Sequence, residues 1–577
     1  MNIKLTLTNI TKKSLRKNGI KKCYNIVIIE SSNKLYGDYQ VNGIMQISKE
    51  IKKKPEELCK DIIKKIKKKE IIKNVTFSYP CFINFFLNIK YIEKKMENII
   101  TCKRLSIKKC KKKRIVIDYS SPNIAKEMHV GHLRSTVIGD SMARIMEFLG
   151  NDIIRENHIG DWGHQYGMLI AYLNKKIEYK EIKNIKLNQL ENIYKKAKKK
   201  FDNSKKFKKE SKKYLIKLYK NDYKYIKIWK KIVKLTLIEN EKIYKNLNIS
   251  LKRKHVKGES FYKNMLEEIV LELKKKKIAK KKNGNVIIYL KKFRNKLGEK
   301  MGVIIQNKDK TFLYSTIDIA CIKHRIRNLK ADEIIYYVDY RQKRYLKQIL
   351  EIAKKAKYIN KNSIIKHHEF GTILSKNNKP FMTRNNKTIK LSKLIKESIK
   401  KSKKIIVNKH IGIKKKCMKK ISNIIGIGAI KYFELSKNRK KNYIFNWNNI
   451  LKLNGNTAIY IQYSYSRIIS ILKNSKIKIK EIKNKIKITN EEEKNISIKV
   501  LQFEETIINV SETGYPNILC NYLYNLSYIF SKFYEKHNII YEKNNTIKHS
   551  RIKLLLIVSK IIKKGLNLLG IKTLNKI

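Results

Sequence analysis

Two histidines on either side of a glycine are the residues of this chain best suited to bind phosphate. His129, Val130, Gly131 and His132 form an H-x-G-H tetrapeptide. Glycine lets a backbone approach a ligand closely, and two imidazoles one helical turn apart can donate hydrogen bonds to phosphate oxygens. The chain of 577 residues has only 11 histidines and 21 glycines, so a chance match has a probability of roughly 1 in 130. The alternative is that both histidines are surface polar residues at the start of a helix.

The neighbouring segments place the tetrapeptide between a strand and a helix. Ile115–Ile117 is β-branched and predicts a strand, which Ser120–Asn123 ends. Helical spacing of apolar residues predicts a helix from about Leu133 to Leu149, with Gly150 as its cap. Open α/β sheets bind nucleotides at the carboxyl ends of their strands, because free N–H groups and the helix dipole attract phosphate there. The pattern therefore predicts a parallel α/β sheet with a nucleotide site at the tetrapeptide.

The rest of the chain divides into regions of different pattern. Residues 1–105 predict a small α+β domain, and 106–395 predict the α/β domain with a Lys-rich helical insertion at about 174–277. Short apolar segments after the insertion predict four strands, at Val286–Leu290, Thr311–Tyr314, Glu333–Val338 and Ser363–Ile365. Beyond 395 nearly every pattern is helical, and we divide it into 396–454 and 455–577.

The chain is strongly basic, with 135 Lys and Arg against 47 Asp and Glu and a formal net charge of +88. Such a surface favours an acidic macromolecule, above all nucleic acid, since counterion release dominates that binding. Mutational bias is the alternative, because the excess is nearly all lysine and comes with abundant Ile and Asn, as in an AT-rich genome. The 42% of hydrophobic residues is enough to form cores, which excludes a disordered basic tail.

Cysteine and apolar patterning exclude further classes. The eight cysteines form no CxxC pair and no Cys/His cluster at zinc spacing, so we expect reduced thiols and no tightly bound metal. His367 and His368 lack a third ligand at suitable spacing and are interpreted as structural. No apolar run approaches the roughly 18 residues of a membrane span, and the first residues do not resemble a signal peptide. We expect a cytoplasmic protein that contacts no membrane.

The segment from Ser121 to Thr136 resembles the signature of class I aminoacyl-tRNA synthetases, and specifically of arginyl-tRNA synthetases. Seven further segments resemble that family, so the resemblance covers nearly the whole chain: Gly37–Gly43, Phe82–Leu87, Asn157–Gly163, Leu313–Ala320, Tyr337–Gln342, Gly455–Tyr463 and Gly565–Ile571. It implies an α/β fold with a Rossmann-type parallel sheet and a helical insertion. It also implies a small α+β N-terminal domain that binds tRNA, a helical stem-contact region at 396–454 and an all-α anticodon-binding domain at 455–577.

The resemblance further implies the reaction and its partners. ATP, carrying Mg²⁺, would activate L-arginine to arginyl-adenylate, and the arginyl group would then pass to the 3′ end of tRNA(Arg) for protein synthesis. A cytoplasmic monomer is implied as well. Catalysis is assigned to His129, His132, Lys126 and Arg384. Binding of ATP is assigned to His129, Gly131, His132, Gly160, Asp161 and Thr383.

A pocket for arginine can be specified from chemistry. A guanidinium is permanently charged and presents a planar fork of donors, so its receptor should offer a carboxylate, carbonyl-type acceptors and an aromatic face. The family assigns arginine binding to residues of those types: Asp118, Asn123, His132, Tyr314, Asp318 and Gln342. Without the resemblance, Asp318 would be interpreted as an ordinary first-turn helix carboxylate. Contacts with tRNA are assigned to Tyr39, Asn42, Phe82, Asn84, Tyr460, Gln462 and Arg467.

The sequence departs from the family in one loop. Class I enzymes generally carry a K-M-S-K-S loop whose lysines follow the pyrophosphate, and here the corresponding stretch runs from Lys379 to Thr388. Thr383 and Arg384 align best with its core, which leaves the role of the second lysine open. Lys126 resembles the lysine that arginyl enzymes with a degenerate K-M-S-K-S loop use as a substitute for the loop lysine. The alternative is that Lys126 is merely a solvated side chain in a lysine-rich protein.

Two other functions would share parts of this pattern. A nucleotidyl transferase or a synthetase for another amino acid would carry the histidine motif, and Tyr314, Asp318 and Gln342 argue against both. A non-catalytic RNA-binding protein, decayed from an enzyme, would fit the drift toward Lys, Asn and Ile. The intact His, Gly, Asp and Trp positions favour retained activity.

Overall fold

The structure is a computed structural model that describes residues 2–22, 24–31, 33–66, 70–176, 185–294, 298–375, 377, 379, 389–409, 415–477 and 481–576. Within those ranges, no helix has the length and the apolar character that crossing a membrane requires.

The N-terminal region is an antiparallel sheet packed on helices. Its elements are α1 (Ile3–Lys17), β1 (Val27–Glu30), β2 (Tyr39–Asn42), α2 (Ile44–Glu50), α3 (Pro55–Lys65), β3 (Ile72–Ser78), β4 (Phe82–Leu87) and α4 (Ile89–Thr101). The strands pair in the order β1–β2–β4–β3. Alternation along β4 puts Ile83, Phe85 and Leu87 in the core. Asn2 caps α1 by accepting the Leu5 N–H at 2.9 Å.

The next region alternates strands and helices and contains the insertion. Its elements are β5 (Arg114–Asp118), α5 (Leu133–Phe148), β6 (Asp152–Glu156), α6 (His164–Lys176), α7 (Leu187–Asn203), α8 (Lys205–Tyr219), α9 (Tyr223–Asn246), α10 (Leu266–Lys275), β7 (Lys280–Lys282), β8 (Asn285–Arg294), β9 (Lys300–Gln306), α11 (Tyr314–Arg327), β10 (Glu333–Tyr336), α12 (Lys343–Lys355), β11 (Ile364–His367) and β12 (Ile373–Leu374). Helices α7–α9 fall within the predicted helical insertion.

The parallel sheet that the sequence predicts is present and holds β5 at its centre. Its order is β11–β10–β5–β6, and Ile115 of β5 pairs with Ile153 on one side and Glu333 on the other. All four strands end at one edge, because they run parallel. A 3₁₀ turn, Val130–His132, lies beyond that edge and leads into α5. The tetrapeptide is thus positioned where the sequence places it, between a strand and a helix.

One predicted strand is wrong. Thr311–Tyr314 does not join a sheet, since α11 begins at Tyr314 and Phe312 makes only an isolated bridge to Gln306. The hydroxyl groups of Ser315 and Thr316 donate to carbonyls of β9 and seat the helix start on the three-stranded sheet β7–β8–β9. Aromatic and β-branched residues at a buried helix start therefore imitate a strand pattern.

The remainder is helical, as predicted. Its elements are α13 (Leu391–Lys409), α14 (Lys415–Leu435), β13 (Tyr443–Ile444), α15 (Trp447–Ile450), α16 (Ala458–Asn474), α17 (Glu491–Leu501), α18 (Phe503–Thr513), α19 (Asn517–Lys536) and α20 (Asn545–Leu568). Apolar residues of α5 share one continuous core with these helices and with the N-terminal sheet. A second core fills the other face of the parallel sheet, against α10, α11 and α12.

The two histidines at the end of β11 lie against this helical region. His368 is buried, and its Nδ1 lies 2.9 Å from the hydroxyl of Tyr337. Burial and the nearby Arg439 guanidinium lower the pKa of His368 to about 3. His367 places its Nε2 3.3 Å from the Val338 carbonyl. No group of three or more metal-ligating side chains occurs in the described part of the chain.

Candidate active site

The two histidines of the tetrapeptide are locked by backbone hydrogen bonds. The His129 N–H donates to Nδ1 of His132 at 3.1 Å, and the Gly131 N–H donates to Nδ1 of His129 at 3.1 Å. A neutral imidazole whose Nδ1 accepts a hydrogen bond carries its proton on Nε2. Burial lowers the pKa of His129 and lowers that of His132 to about 3. Both rings are therefore neutral and keep Nε2–H as a free donor direction.

Gly131 is required by this packing. A side-chain Cβ at that position would lie 2.9 Å from Cε1 and Nδ1 of the His129 ring. The rings of His129 and His132 are themselves only 4.0 Å apart between centroids. Any larger residue at position 131 would displace the His129 ring from the backbone N–H that donates to it.

A cavity of about 500 Å³ opens at this turn and brings together predicted residues that are far apart in the sequence. His129, Gly131, His132, Asn123 and Gln342 all line it, beside the start of α5. Gly160, which follows β6, lies next to one of these residues, since it bridges to Asn123 and a Cβ there would lie 3.1 Å from the Asn123 amide oxygen. Two strand ends and a helix N-terminus thus border one space, which suits a nucleotide.

The structure places Asp118, which the sequence assigns to arginine binding, in a buried network of ion pairs. Its carboxylate is 4% exposed and takes a hydrogen bond from Arg325 Nη2 at 2.7 Å, while Arg325 Nε donates to Glu156 at 2.6 Å. The second Asp118 oxygen accepts from the Ser121 hydroxyl at 3.1 Å. Each oxygen of Asp118 therefore has a partner within the protein, and this carboxylate links the ends of the strands to Arg325.

Asp318 lies in a pocket of aromatic and acidic groups. Its Oδ2 accepts the Tyr345 hydroxyl, and its Oδ1 lies 3.7 Å from Nε2 of His158. The Tyr345 ring contacts Tyr314, whose side chain is 60% exposed, with centroids 5.1 Å apart. Burial raises the pKa of Asp318. The carboxylate and aromatic face expected for a guanidinium receptor therefore occur together here.

Sequence reasoning missed a second carboxyl group in this pocket. Burial and the facing carboxylates of Asp318 and Asp161 raise the pKa of Glu259 to about 8. The Trp162 N–H lies 3.4 Å from Oε2 of Glu259. Only the fold reveals it, because Glu259 lies within the insertion, far from Asp318 in the sequence, and no local motif marks it.

Asp161, which the sequence assigns to ATP, is buried and hydrogen-bonded to Ser260 in the structure. It is 4% exposed, and its two oxygens accept the Ser260 N–H at 2.8 Å and the Ser260 hydroxyl at 2.7 Å. Burial raises its pKa. Gly258 must be small, because a Cβ there would collide with the Asp161 carboxylate. Asp161 thereby anchors the segment that carries Glu259.

The residues that follow the degenerate loop (Lys379–Thr388) are joined to the histidine motif by backbone hydrogen bonds. The Val130 N–H donates to the Ile389 carbonyl at 2.9 Å, and the Leu391 N–H donates to the Met128 carbonyl at 2.9 Å. Thr383 and Arg384 lie outside the described residues. Lys126 is exposed and holds its ammonium 4.6 Å from the centroid of the Tyr194 ring on α7.

Three of the residues assigned to tRNA are buried. Tyr39 accepts from Gln502 Nε2 at 2.9 Å, Gln462 donates to the Lys572 carbonyl at 2.7 Å, and Asn84 donates to the Ser78 hydroxyl at 3.0 Å. Each is at most 1% exposed, so the structure places these three side chains inside the protein and not on its surface.

The other four residues assigned to tRNA remain partly exposed. Asn42 and Phe82 lie on strands of the N-terminal sheet. Tyr460 and Arg467 line a cavity of about 330 Å³ between α13, α16 and α19. The guanidinium of Arg467 lies 4.3 Å from the centroid of the Tyr534 ring.

Family models match three consecutive parts of the chain. They are described as arginyl tRNA synthetase N terminal domain at residues 3–87, tRNA synthetases class I (R), catalytic domain at 95–447, and DALR anticodon binding domain at 461–577. An arginine–tRNA ligase of Buchnera aphidicola subsp. Acyrthosiphon pisum (strain Tuc7) is 51% identical over 578 residues, and the alignment covers 100% of both chains. That of Blochmanniella pennsylvanica is 49% identical over 551 residues, 95% of either chain.

Solved structures agree with these matches. The crystal structure of arginyl-tRNA synthetase from Plasmodium falciparum superposes with a TM-score of 0.84 at 29% identity, covering 100% of this chain and 99% of that one. Thermus thermophilus arginyl-tRNA synthetase shares the fold, with a TM-score of 0.79 at 18% identity and full coverage of both chains.

Proposed function

The chain belongs to the class I arginyl-tRNA synthetases, whose reaction is the ligation of arginine to tRNA, and we propose that the cavity of about 500 Å³ at the histidine turn is where it activates L-arginine with ATP. The observation that carries this proposal is the fixed pair of neutral imidazoles, His129 and His132, each with Nε2–H as a donor beside a helix N-terminus. Donors of that kind stabilise charge that develops on phosphate.

The first step is a displacement at the α-phosphorus of ATP. A carboxylate oxygen of arginine attacks, a new O–P bond forms, and the bond from the α-phosphorus to the bridging oxygen breaks. Pyrophosphate leaves with that oxygen and its charge, and arginyl-adenylate remains. No proton has to move and no covalent enzyme intermediate is needed, so the protein contributes positioning and charge stabilisation.

Arginine is selected by the acidic pocket. Asp318 and Glu259 place two carboxyl groups near each other, and a guanidinium between them would favour the charged form of both and form charge-assisted hydrogen bonds. Tyr314 supplies an exposed aromatic face, while Asn123 and Gln342 supply carbonyl acceptors at the cavity. Citrulline, which is neutral and of similar shape, would leave the carboxyl groups unpaired.

Cations balance the phosphates. Lys126 and Arg384 are assigned this task, with Thr383 as a further contact, and Mg²⁺ enters as part of the ATP substrate. Lys126 has structural support for the role, because the Tyr194 ring holds its ammonium beside the turn that carries His129.

The second step transfers the arginyl group to the terminal adenosine of tRNA(Arg), on its 2′-hydroxyl as in class I enzymes. The N-terminal domain at 1–105, the stem-contact region at 396–454 and the anticodon-binding domain at 455–577 would contact the tRNA along its length. Asn42, Phe82, Tyr460 and Arg467 are the partly exposed candidates. We further propose that the protein works as a monomer in the cytoplasm and binds no membrane.

Amino-acid-dependent exchange of labelled pyrophosphate into ATP tests this function. The assay should compare all twenty amino acids, with tRNA(Arg) present and absent. Among the twenty amino acids, we expect only L-arginine to support exchange. Exchange with another amino acid would assign the chain to a different synthetase, and tRNA binding without any exchange would identify a decayed enzyme.

A further inference from the structure

One side of the cavity of about 500 Å³ is formed by the short segment that follows β11. We call this segment, Phe370–Ile373, the cavity wall, since all four of its residues line the cavity. Arg134, near the start of α5, lines the same cavity. The reaction described so far assigns no task to any of these residues, yet the position of the wall determines the shape of the space.

The cavity wall is held from behind by a segment of the helical region. We call this segment, Arg439–Phe445, the backing strip. The Gly371 N–H donates to the Arg439 carbonyl at 2.8 Å, and the Thr372 N–H donates to Oδ1 of Asn442 at 2.7 Å. Strands β12 and β13 then pair in parallel. The wall therefore takes its position from residues about 70 positions further along the chain.

The wall and the strip are in close contact at Gly371. A Cβ at that position would lie 2.6 Å from Oδ1 of Asn442 and 2.8 Å from the carbonyl oxygen of Lys441. Only glycine allows two backbones to approach so closely. The two segments are thus packed as one unit.

Arg134 joins this unit to the histidine turn. The residue lies two positions after His132 and is 1% exposed. Its Nη1 donates to the Gly371 carbonyl at 2.9 Å and to the Lys441 carbonyl at 3.0 Å. One guanidinium nitrogen therefore contacts the wall and the strip together, from the helix that begins at the histidine turn.

A second set of contacts holds Arg134 itself. Its Nε donates to Oε1 of Glu434 on α14 at 2.7 Å, and Oε2 of Glu434 accepts the Tyr443 hydroxyl at 2.5 Å. The guanidinium also lies 5.1 Å from the centroid of the Tyr443 ring. A planar guanidinium donates in several fixed directions, whereas an ammonium acts as a point charge. This site therefore uses a property that lysine lacks.

Stability is the simpler role for a buried ion pair, and the contacts of Arg134 indicate more than that. Glu434 already balances the charge of the guanidinium through Nε. The bonds from Nη1 to two carbonyls are not needed for that balance, and their effect is to fix the wall relative to α5.

We propose that Arg134 is a positioning residue for arginine activation, which fixes the cavity wall relative to the histidine turn and so sets the shape of the space that ATP occupies. The proposal rests on the proposed function. It assigns the rear of that space to the stem-contact region at 396–454, which supplies Glu434 and the backing strip. Other residues hold the acidic pocket, since Asp318 accepts from Tyr345, so arginine binding should not depend on Arg134.

Binding of ATP to the full chain, measured by isothermal titration calorimetry, tests the proposal together with the two KM values in pyrophosphate exchange. Arg134→Lys keeps a charge opposite Glu434 but loses the fork that reaches the two carbonyls. We expect it to weaken ATP binding about tenfold and to raise the KM for ATP by the same factor. The KM for arginine should stay within about twofold, which a general loss of folded protein would not explain.

Glu434→Gln is the companion variant. It removes the charge that faces Arg134 and leaves both carbonyl bonds of Nη1 in place. Urea unfolding should show a loss of stability, because a buried charge loses its partner. ATP affinity should remain within about twofold of the wild type, since the fork that fixes the wall is intact.

Arg551→Lys is the matched control. Arg551 is another buried guanidinium, paired with Glu493 and Glu542 at 2.8 Å each, on helix α20. Its replacement should lower stability and leave ATP affinity unchanged, because these partners lie outside the cavity.

Asn442→Ala tests the wall through an exposed residue, and it decides the question if Arg134→Lys does not fold. This variant removes the acceptor of the Thr372 N–H, and we expect about threefold weaker ATP binding. Asn442→Asp keeps an acceptor oxygen and should bind ATP like the wild type.

Unchanged ATP affinity in Arg134→Lys and Asn442→Ala would overturn the proposal and leave Arg134 a purely structural residue. An equal loss of affinity in Arg134→Lys and Glu434→Gln would also overturn it, because the ion pair would then set the wall and not the bonds to the carbonyls. A wild-type chain that binds ATP but supports exchange with no amino acid would contradict only the proposed function, since calorimetry of the variants still tests the wall.

Discussion

The backbone N–H of His129 donates to Nδ1 of His132, 3.1 Å away, and this bond fixes which nitrogen of His132 can face a ligand. The same turn uses the Gly131 N–H to fix His129. Donors that need no reorganisation when charge develops are the most effective in catalysis. The motif therefore depends on its local backbone as much as on its two rings.

Replacing His132 with alanine should slow arginine activation at least about a hundredfold, since losing one preorganised donor costs about 2.7–4 kcal/mol of transition-state stabilisation. Pyrophosphate exchange measures the loss, and thermal unfolding should be nearly unchanged. His255→Ala is a matched control, because His255 accepts the Lys252 N–H through Nδ1 at 2.9 Å in a similar turn outside the cavity. Near-normal exchange in His132→Ala would remove the central assignment.

Binding of arginine should release a proton from Glu259 at neutral pH. The pKa of Glu259 is raised to about 8, so the free protein holds a proton there at pH 7, and a bound guanidinium favours the carboxylate. Affinity for arginine should therefore increase as the pH rises from 6 to 8. Calorimetry in two buffers of different ionisation enthalpy counts the proton, and Glu259→Gln should abolish the release. Proton uptake instead of release would contradict this arrangement.

Removing Arg325 should destabilise the fold strongly. Arg325→Met leaves the buried carboxylates of Asp118 and Glu156 without their partner, which typically costs about 3–5 kcal/mol. Urea unfolding measures the change. Arg327→Met on the same helix is the control and should stay within about 0.5 kcal/mol, because Arg327 is exposed. Equal effects of the two variants would show that the buried ion pairs are unimportant.

Acid should weaken the fold partly through His368. Its pKa is lowered from 6.5 to about 3 in the folded state, so between those pH values the unfolded chain binds the extra proton. Its contribution to stability is fully present above pH 6.5 and is lost as the pH falls toward 3, at up to about 1.4 kcal/mol per pH unit. The difference in unfolding free energy between wild type and His368→Gln should shrink along that range. A constant difference would contradict the shift.

The parallel sheet and the position of the histidine turn could be predicted because local pattern carries them. Ile115–Ile117 is β-branched, the apolar spacing after His132 is helical, and both predictions are confirmed. Thr311–Tyr314 failed for a related reason, since a buried helix start and a strand use similar residue types.

The contacts that the sequence could not supply join residues far apart along the chain. Arg325 reaches Asp118 across 207 positions, and no local spacing indicates that pairing. Glu259 gains its role only because the chain returns to Asp318 after the insertion. The sequence also did not show which polar side chains are buried. Tyr39 and Gln462 are polar enough to suggest contact with RNA, yet both are buried and form hydrogen bonds within the protein.

The main-chain pairing of Ile389 and Leu391 with the histidine segment also bears on how this protein tolerates sequence drift. Hydrogen bonds between backbone groups do not depend on side-chain identity, so substitutions in the neighbouring loop leave these anchor bonds available. Under mutational bias, a lineage can lose the family's lysine motif from the loop. The backbone hydrogen bonds that join the loop to the catalytic turn are not lost with it. Changes to proline at Leu391 or Val130 would be the exception, because each would delete one of the two donors.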